Sequence, residues 1–413
     1  MTANNYQIPT NLKARPSYLE QLRPFIGQQL IKVLTGQRRV GKSYLLYQLI
    51  EHIAAKEEGA VIIYINKEDL TFASLKEAED LHAYVMAHKA EGQKTYVFID
   101  EIQDIANFEA ALRSLLLHPD LDLYCSGSNA NLLSSDIAGY LSGRYIAIEV
   151  HSLSYLEFLD FHNLDNTDTA VMSYLKYGGL PYLKHLELKD EQVFDYLKNI
   201  YQSIAYRDII NRFAIRNVNF LEQLVQFLAG QTGSLFSANK ISQFLKSQQV
   251  QMAPNQVQQY IDHLVSAYLI HKVERYDVIG KRLFEVGAKY YFENLGIRNG
   301  IWGFRPEDLG KIMENVVYKH LLFMGYTVKV GVLADKEIDF VAERNSEKLY
   351  VQVALSITAP ETFEREFGNL VQIPDNYPKC VITLDAFEGN SYNGIQALSL
   401  RTFLSNQSNA SPF

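Results

Sequence analysis

One short segment of the sequence has the residue types and spacing that bind the phosphates of a nucleotide. Its pattern is G-x-x-x-x-G-K-S/T, and its residues are Gly36, Gln37, Arg38, Arg39, Val40, Gly41, Lys42 and Ser43. Glycines let backbone N–H groups approach phosphate oxygens closely, a lysine in this position reaches the β- and γ-phosphates, and the serine hydroxyl holds Mg²⁺. We therefore predict a nucleoside triphosphate and Mg²⁺ as ligands, against the alternative of a glycine-containing turn with a surface lysine.

Two adjacent acids, Asp100 and Glu101, follow the apolar run Tyr96–Ile99. Carboxylate oxygens suit Mg²⁺, so we expect Asp100 to hold the metal directly or through water. We expect Glu101 to orient and deprotonate the attacking water, because a carboxylate is already ionised at neutral pH. The alternative interpretation is a strand that ends in two solvated carboxylates.

Two more positions are candidates for the same chemistry. Ser128 and Asn129 follow the fourth apolar run of this region, 123–127. A small polar group there can position the attacking water, although either residue could instead cap the next helix. Arg144 lies just before the fifth apolar run, 146–150. An arginine in this position can act as a finger that stabilises charge on the γ-phosphoryl group. A structural salt bridge or an exposed side chain is the alternative role for Arg144.

Apolar runs and helical periodicity predict the elements that position these residues. The predicted strands are 31–35, 61–66, 96–100, 123–127 and 146–150, and the predicted helices are 42–57, 74–90, 107–117 and 130–141. Alternating strands and helices predict a parallel, doubly wound sheet. The carboxyl ends of its strands then bring the phosphate-binding segment and the two acids to one edge.

Length, charge and cysteine content exclude several classes of protein. The 413 residues suffice for two to three domains, and the net charge of −8 means that a basic surface must be local. Cys125 and Cys380 lie far apart, which excludes a disulfide framework and fits a reducing cytosol. Because the sequence contains neither an apolar N-terminal segment nor a long apolar run, we expect a cytoplasmic protein without a membrane span.

Four motifs together resemble one group of AAA-type ATPases of bacteria and archaea. They are Gln37–Ser43, Phe98–Gln103, Ser126–Asn129 and Leu141–Arg144, and the resemblance extends from about Tyr18 to Ala397. It implies ATP hydrolysis, a core strand order of 5-1-4-3-2, a winged-helix region and a restriction-endonuclease-like C-terminal domain. In AAA-type proteins an arginine just before the fifth strand often acts on a neighbouring subunit, which implies a homo-oligomer.

With this resemblance, the predicted fold class is α/β. An AAA-type P-loop NTPase core with a parallel sheet precedes a helical and winged-helix region and a restriction-endonuclease-like α/β domain. The predicted boundaries are 1–150 for the ATPase core, 151–220 for a helical lid or coupling segment, 221–300 for the winged helix, 301–404 for the nuclease-like domain and 405–413 for a polar tail.

The predicted winged helix is the candidate contact for DNA. Residues 207–282 contain nine Lys or Arg and five Asp or Glu, a net charge of +4 that favours phosphate backbones. Its two predicted strands are Ile270–Arg275 and Arg282–Val286. The predicted recognition helix, Pro254–Tyr268, contains no lysine or arginine. A structural or protein-binding winged helix is therefore the alternative.

The sequence pattern of the C-terminal region predicts a helix over 311–324 and strands at 327–330, 337–342, 349–354 and 379–384. Nucleases of the restriction-endonuclease-like fold hold Mg²⁺ with two acids on adjacent strands and activate water with a lysine. Asp339 and Glu314 match acids of this pattern, but Gln352 replaces the second strand acid and Ala354 replaces the lysine. We therefore predict a degenerate site in a fold kept for binding nucleic acid or a partner, with Lys336 or Lys348 as substitutes for the missing lysine if the site is active.

The leading functional interpretation is a Mg²⁺-dependent ATPase of AAA type that couples its nucleotide state to DNA or protein binding. A nucleotide-gated binding module with slow turnover is one alternative, and an ATP-licensed DNA nuclease, with contacts to DNA through the C-terminal domain, is another.

Overall fold

The computed structural model describes residues 7–133, 139, 141, 143–247, 250–278, 280, 287–385 and 391–406. Contacts divide the chain into two units. The first contains the residues up to His151 together with Ser266–Tyr268, and the second contains Ser152–Val265 and the residues from Leu269 onward. Every helix in the described part of the chain is too short or too polar to cross a membrane.

The first unit is built on a five-stranded parallel sheet. Its strands are β1 (Ile31–Thr35), β2 (Val61–Asn66), β3 (Thr95–Asp100), β4 (Leu121–Gly127) and β5 (Tyr145–Glu149). They lie side by side in the order β2-β3-β4-β1-β5, which confirms the parallel sheet and the 5-1-4-3-2 order. All residues of β1, β3 and β4 are buried, as expected for strands covered by helices on both faces.

Helices connect these strands close to the predicted positions. The described α-helices are Pro16–Leu22, Lys42–Lys56, Ala78–His88 and Phe108–Leu115. Helix Lys42–Lys56 buries apolar side chains at helical spacing, among them Leu45, Leu49 and Ile53. In the region of the predicted helix 130–141 the structure describes a short 3₁₀ segment, Ala130–Leu133, and most of the remaining residues lie outside the described part of the chain.

The second unit begins with a run of helices, as predicted for 151–220. Its α-helices are Tyr155–His162, Asp168–Tyr177, Asp190–Ser203, Val218–Gly230, Ala238–Ser247, Pro254–Ser266, Leu295–Trp302, Leu309–Phe323, Pro360–Val371 and Leu400–Leu404. A π-helical segment, Ile204–Asn211, continues the helix Asp190–Ser203. Helix Asp168–Tyr177 ends before Gly178, and a 3₁₀ segment follows at Pro181–His185.

A nine-stranded sheet forms the rest of the second unit. Its strands are β6 (Leu235–Phe236), β7 (Ile270–Asp277), β8 (Ala288–Phe292), β9 (Thr327–Leu333), β10 (Lys336–Arg344), β11 (Glu347–Ala354), β12 (Lys379–Thr383), β13 (Ser391–Tyr392) and β14 (Ile395–Ser399). Their order is β13-β14-β12-β11-β10-β9-β7-β8-β6.

The parallel pairing of β7 with β9 makes one continuous sheet from the predicted winged-helix region and the C-terminal region. The described partner of β7 on its other side is β8. The predicted strand Arg282–Val286 lies outside the described residues, and the domain boundaries remain predictions from the sequence.

Candidate nucleotide-binding site

The phosphate-binding segment lies between the carboxyl end of β1 and helix Lys42–Lys56, in the strand–loop–helix arrangement that the motif requires. Gly36 has a φ of +139° and Gly41 a φ of +100°, a left-handed region that favours glycine. A Cβ atom on Gly36 would lie only 2.2 Å from the carbonyl oxygen of Val150. Glycine is therefore required at Gly36 both for its backbone conformation and for this close approach.

The Lys42 side chain is buried and folds back over the loop. Its Nζ donates hydrogen bonds to the carbonyl oxygens of Gly36 at 2.9 Å and Gln37 at 3.0 Å. The N-terminus of a helix already favours anions, because its first backbone N–H groups point outward. The ammonium adds a full positive charge at the same end of the helix.

Asp100 is the last residue of β3, and its carboxylate is buried. Its Oδ1 accepts a hydrogen bond from the Ser126 hydroxyl, and its Oδ2 accepts one from the Tyr64 hydroxyl at 3.2 Å. Burial raises the pKa of Asp100, and hydrogen bonds from Ser126 and Ser43 oppose this rise. The structure thus brings together Ser43 and Asp100, the two residues predicted to hold the metal.

Glu101 follows directly and has an unusual backbone. Its φ of 56° is left-handed, a conformation that non-glycine residues adopt mainly where the surroundings impose it. Its N–H donates to the Ser126 hydroxyl at 3.2 Å. Its carboxylate Oε2 accepts hydrogen bonds from the Gln103 amide and, at 3.3 Å, from the Ser128 hydroxyl. Both the backbone and the carboxylate of Glu101 are therefore held in one orientation.

The electrostatic surroundings keep Glu101 ionised. Burial alone raises the pKa of its carboxyl group. The charges of Lys42 and Arg38, with the hydrogen bonds from Gln103 and Ser128, outweigh burial and hold the pKa below its ordinary value. A carboxylate in this state can accept a proton from water at neutral pH.

The two remaining predicted residues have different positions. Asn129 is buried just beyond β4, and its backbone carbonyl oxygen accepts a hydrogen bond from the N–H of Leu132 at 3.2 Å. Arg144 is exposed and precedes β5, whose first residue pairs with Ile31 at the start of β1. The phosphate-binding segment follows the other end of β1, about 13 Å away at about 3.3 Å per residue. The structure therefore does not bring Arg144 to the phosphate-binding segment of its own chain.

Several residues that support the site were not predicted from the sequence. Arg15 is buried, and its Nη1 donates to the carbonyl oxygens of Val40 at 3.1 Å and His151 at 3.0 Å, which anchors the phosphate-binding segment. Tyr64 contacts Asp100 across 36 residues of sequence. Gln103 lies inside a recognised motif, but its contact with Glu101 depends on the left-handed turn that no local pattern predicted.

The donor set fits a magnesium nucleotide. Mg²⁺ prefers hard oxygen ligands, and the adjacent Ser43 hydroxyl and Asp100 carboxylate supply them. Phosphates prefer backbone N–H groups at a helix N-terminus together with a cation, and the loop with Lys42 provides both.

Comparisons with known proteins agree with this geometry. A family model described as an AAA domain matches residues 28–159, and another described as a domain of unknown function matches residues 168–308. An uncharacterised protein of Haemophilus influenzae is 36% identical over 394 residues, which cover 93% of this chain and 96% of that relative. The chain belongs to the AAA-type P-loop ATPase family.

More distant relatives of this AAA-type chain are consistent with that membership. An uncharacterised protein of Methanocaldococcus jannaschii is 28% identical over 353 residues, or 80% of this chain and 76% of the relative. The solved Walker-type ATPase of Pyrococcus abyssi is 13% identical, covers 73% of this chain and 99% of its own, and has a TM-score of 0.50. At that identity the likeness shows a shared fold alone. The predicted AAA-type core is confirmed, whereas the winged-helix and restriction-endonuclease-like assignments stay predictions.

The second unit of this AAA-type chain brings together the three residues predicted for a degenerate nuclease site. Glu314 lies on helix Leu309–Phe323, Asp339 on β10 and Gln352 on β11. The N–H of Asp339 donates to Gln352 Oε1 at 2.6 Å. A lysine is also present, but it is Lys289 of β8, whose Nζ lies 2.7 Å from Glu314 Oε1 and 3.6 Å from Asp339 Oδ1.

Lys289 carries no signal in the sequence, because it lies 25 residues before Glu314 and outside the predicted domain. Of the two lysines predicted as substitutes, Lys348 forms an ion pair with Glu343 at 3.0 Å. Burial raises the pKa of Glu314 to about 7, although the neighbouring Lys289 favours its ionised form. The acids of this region are thus arranged around a buried ammonium group.

Proposed function

We propose that this chain is a Mg²⁺-dependent ATPase whose nucleotide state controls the binding of DNA or of a protein partner. The proposal is supported chiefly by the convergence of Lys42, Ser43, Asp100 and Glu101 at one edge of the parallel sheet. The assignment of ATP rather than GTP follows the family.

In this proposal each residue has a separate role. Lys42 binds the β- and γ-phosphates, and Ser43 and Asp100 hold Mg²⁺, which neutralises charge on the phosphates when bound. Glu101 accepts the proton of the attacking water. Ser128, which donates to Glu101, and Asn129 position that water.

The binding part of the proposal is tested with Lys42→Ala. A charge-assisted hydrogen bond contributes about 1.5–3 kcal/mol, so the affinity for ATP should fall about 10- to 100-fold. Titration calorimetry with a non-hydrolysable ATP analogue and Mg²⁺ measures this. Lys56→Ala, an exposed lysine at the other end of the same helix, is the matched control and should leave affinity unchanged. Equal affinity of the Lys42→Ala variant and the wild type would show that the phosphates bind elsewhere.

DNA is the partner that local charge favours. In the net-positive segment 207–282, which overlaps the proposed winged helix (221–300), the exposed cations include Arg207, Arg216, Lys240 and Lys246. All four precede the predicted recognition helix, so the proposed contact is with phosphates rather than with base edges.

A titration with duplex DNA in ATP analogue, in ADP and without nucleotide, at several salt concentrations, tests this coupling. We expect affinities that differ about fivefold or more between nucleotide states and that fall steeply with salt. Identical affinity in all three states would rule out nucleotide control of DNA binding, and the absence of any binding would leave a protein as the partner. Lys240→Ala should weaken DNA binding and reduce its dependence on salt, whereas the control Lys198→Ala, at an exposed lysine outside the segment, should leave both unchanged.

A further inference from the structure

The acidic cluster of the second unit consists of Glu314, Glu337 and Asp339, which lie on one helix and on β10. In metal-dependent nucleases, acids in such a cluster share a divalent cation.

The structure places the ammonium group of Lys289 among them. Lys289 Nζ lies 2.7 Å from Glu314 Oε1, 2.8 Å from Glu337 Oε1 and 3.6 Å from Asp339 Oδ1. Lys289 is only 3% exposed, so its charge is withdrawn from water and depends on these acids for stabilisation. The Tyr291 hydroxyl also donates to Glu314, which further fixes that carboxylate.

Two further oxygen atoms beside this cluster already accept hydrogen bonds from backbone N–H groups. Asp339 Oδ2 accepts a hydrogen bond from the N–H of Val353 at 2.9 Å. Gln352 Oε1 accepts one from the N–H of Asp339, and Gln352 Nε2 donates to the buried Glu366 carboxylate at 2.9 Å. The amide at Gln352 is therefore suited to its neighbours, since a second carboxylate there would face Glu366 without a proton between them.

We propose that Lys289 is a permanent internal cation that replaces the divalent metal of this cluster. The donor set does not fit a metal while the ammonium is in place, because the lysine is held by three carboxylates in a buried position. The predicted nuclease-like region therefore holds no metal at this cluster. The lysine instead links β8 to helix Leu309–Phe323 and to β10.

The proposal is tested with Lys289→Met in the full-length chain without nucleotide. Removal of the ammonium leaves three carboxylates without a counter-charge. The variant should then bind one additional Mn²⁺ per chain, at least tenfold more tightly than any site the wild type offers there. Electron paramagnetic resonance of free Mn²⁺ measures the binding, and Mn²⁺ should raise the melting temperature of the variant but not of the wild type. The additional site should disappear in the double variant Lys289→Met, Asp339→Asn.

Lys272→Met is the matched control, because Lys272 lies on the adjacent β7 in an exposed ion pair with Glu274 at 3.1 Å. It should gain no Mn²⁺ site. A folded Lys289→Met variant that binds no additional Mn²⁺ would overturn the proposal.

The wild type provides a separate test if Lys289→Met does not fold. Asp339→Asn in an otherwise unchanged chain should leave Mn²⁺ binding as it is, because the wild-type cluster binds no metal. Loss of a Mn²⁺ site on this substitution would show that the wild-type acids do hold a metal, and the proposal would be wrong.

Discussion

A Glu101→Gln variant should bind ATP like the wild type and release phosphate about 10²- to 10⁴-fold more slowly, the usual contribution of a positioned general base. The glutamine amide matches the shape of the carboxylate but cannot take a proton from water. The neighbouring cations hold the pKa of Glu101 below its ordinary value, so the wild-type carboxylate is ionised at neutral pH. A phosphate-release assay under saturating ATP, together with a measurement of ATP affinity, separates the loss of chemistry from a loss of binding.

Glu91→Gln is the control for this prediction. Glu91 is exposed and precedes β3, so the same chemical change is made at the opposite end of the strand that leads to Glu101. Its turnover should equal that of the wild type. If Glu101→Gln keeps wild-type turnover, another group must activate the water, and the role proposed for Glu101 is wrong.

An Arg144→Ala variant should lose about 10³- to 10⁵-fold in turnover, the usual contribution of an arginine finger, while its ATP affinity is retained. The position of Arg144 decides which bound ATP it can contact. Arg144 lies at the edge of the sheet opposite the phosphate-binding segment of its own chain, so we propose, as the family resemblance implies, that it acts on ATP bound to a second copy. The turnover of the wild type should then rise with protein concentration as the copies assemble.

A mixing experiment distinguishes action on a second copy from a structural role. Arg144→Ala chains keep an intact Glu101, and Glu101→Gln chains keep an intact Arg144. If the arginine acts between copies, mixing the two inactive variants should restore part of the activity. Absence of recovery from variants shown to assemble would contradict the proposal.

Arg113→Ala is the matched control for Arg144. The two arginines line the same surface depression, with Leu117 exposed beside them. Loss of Arg113 changes the charge of that surface but removes no residue with a proposed role in catalysis. The Arg113→Ala variant should therefore keep most of its turnover.

The part of the site that could be predicted consists of short motifs, each made of residues adjacent in sequence. The phosphate-binding segment, Asp100 and Glu101 each follow a short apolar strand, and the carboxyl ends of parallel strands meet at one edge of a sheet. For that reason the alternation of strands and helices was enough to predict that these residues converge. The order of the strands was not a property of any local pattern, and it came from the family resemblance.

The sequence alone predicted a nucleotide ligand and the approximate limits of most helices and strands, because these depend on residue spacing within single elements. The AAA-type core followed from the family resemblance that the motifs carry. Only the tertiary structure decided which groups hold the acids. Ser126 and Tyr64 reach Asp100 from neighbouring strands, and Gln103 reaches Glu101 through a left-handed turn. Strand pairing likewise placed Arg144 at the far edge of the sheet, and it brought Lys289 to Glu314 and Asp339. Contacts of this kind depend on how distant segments pack, and the spacing of residues along the chain does not encode them.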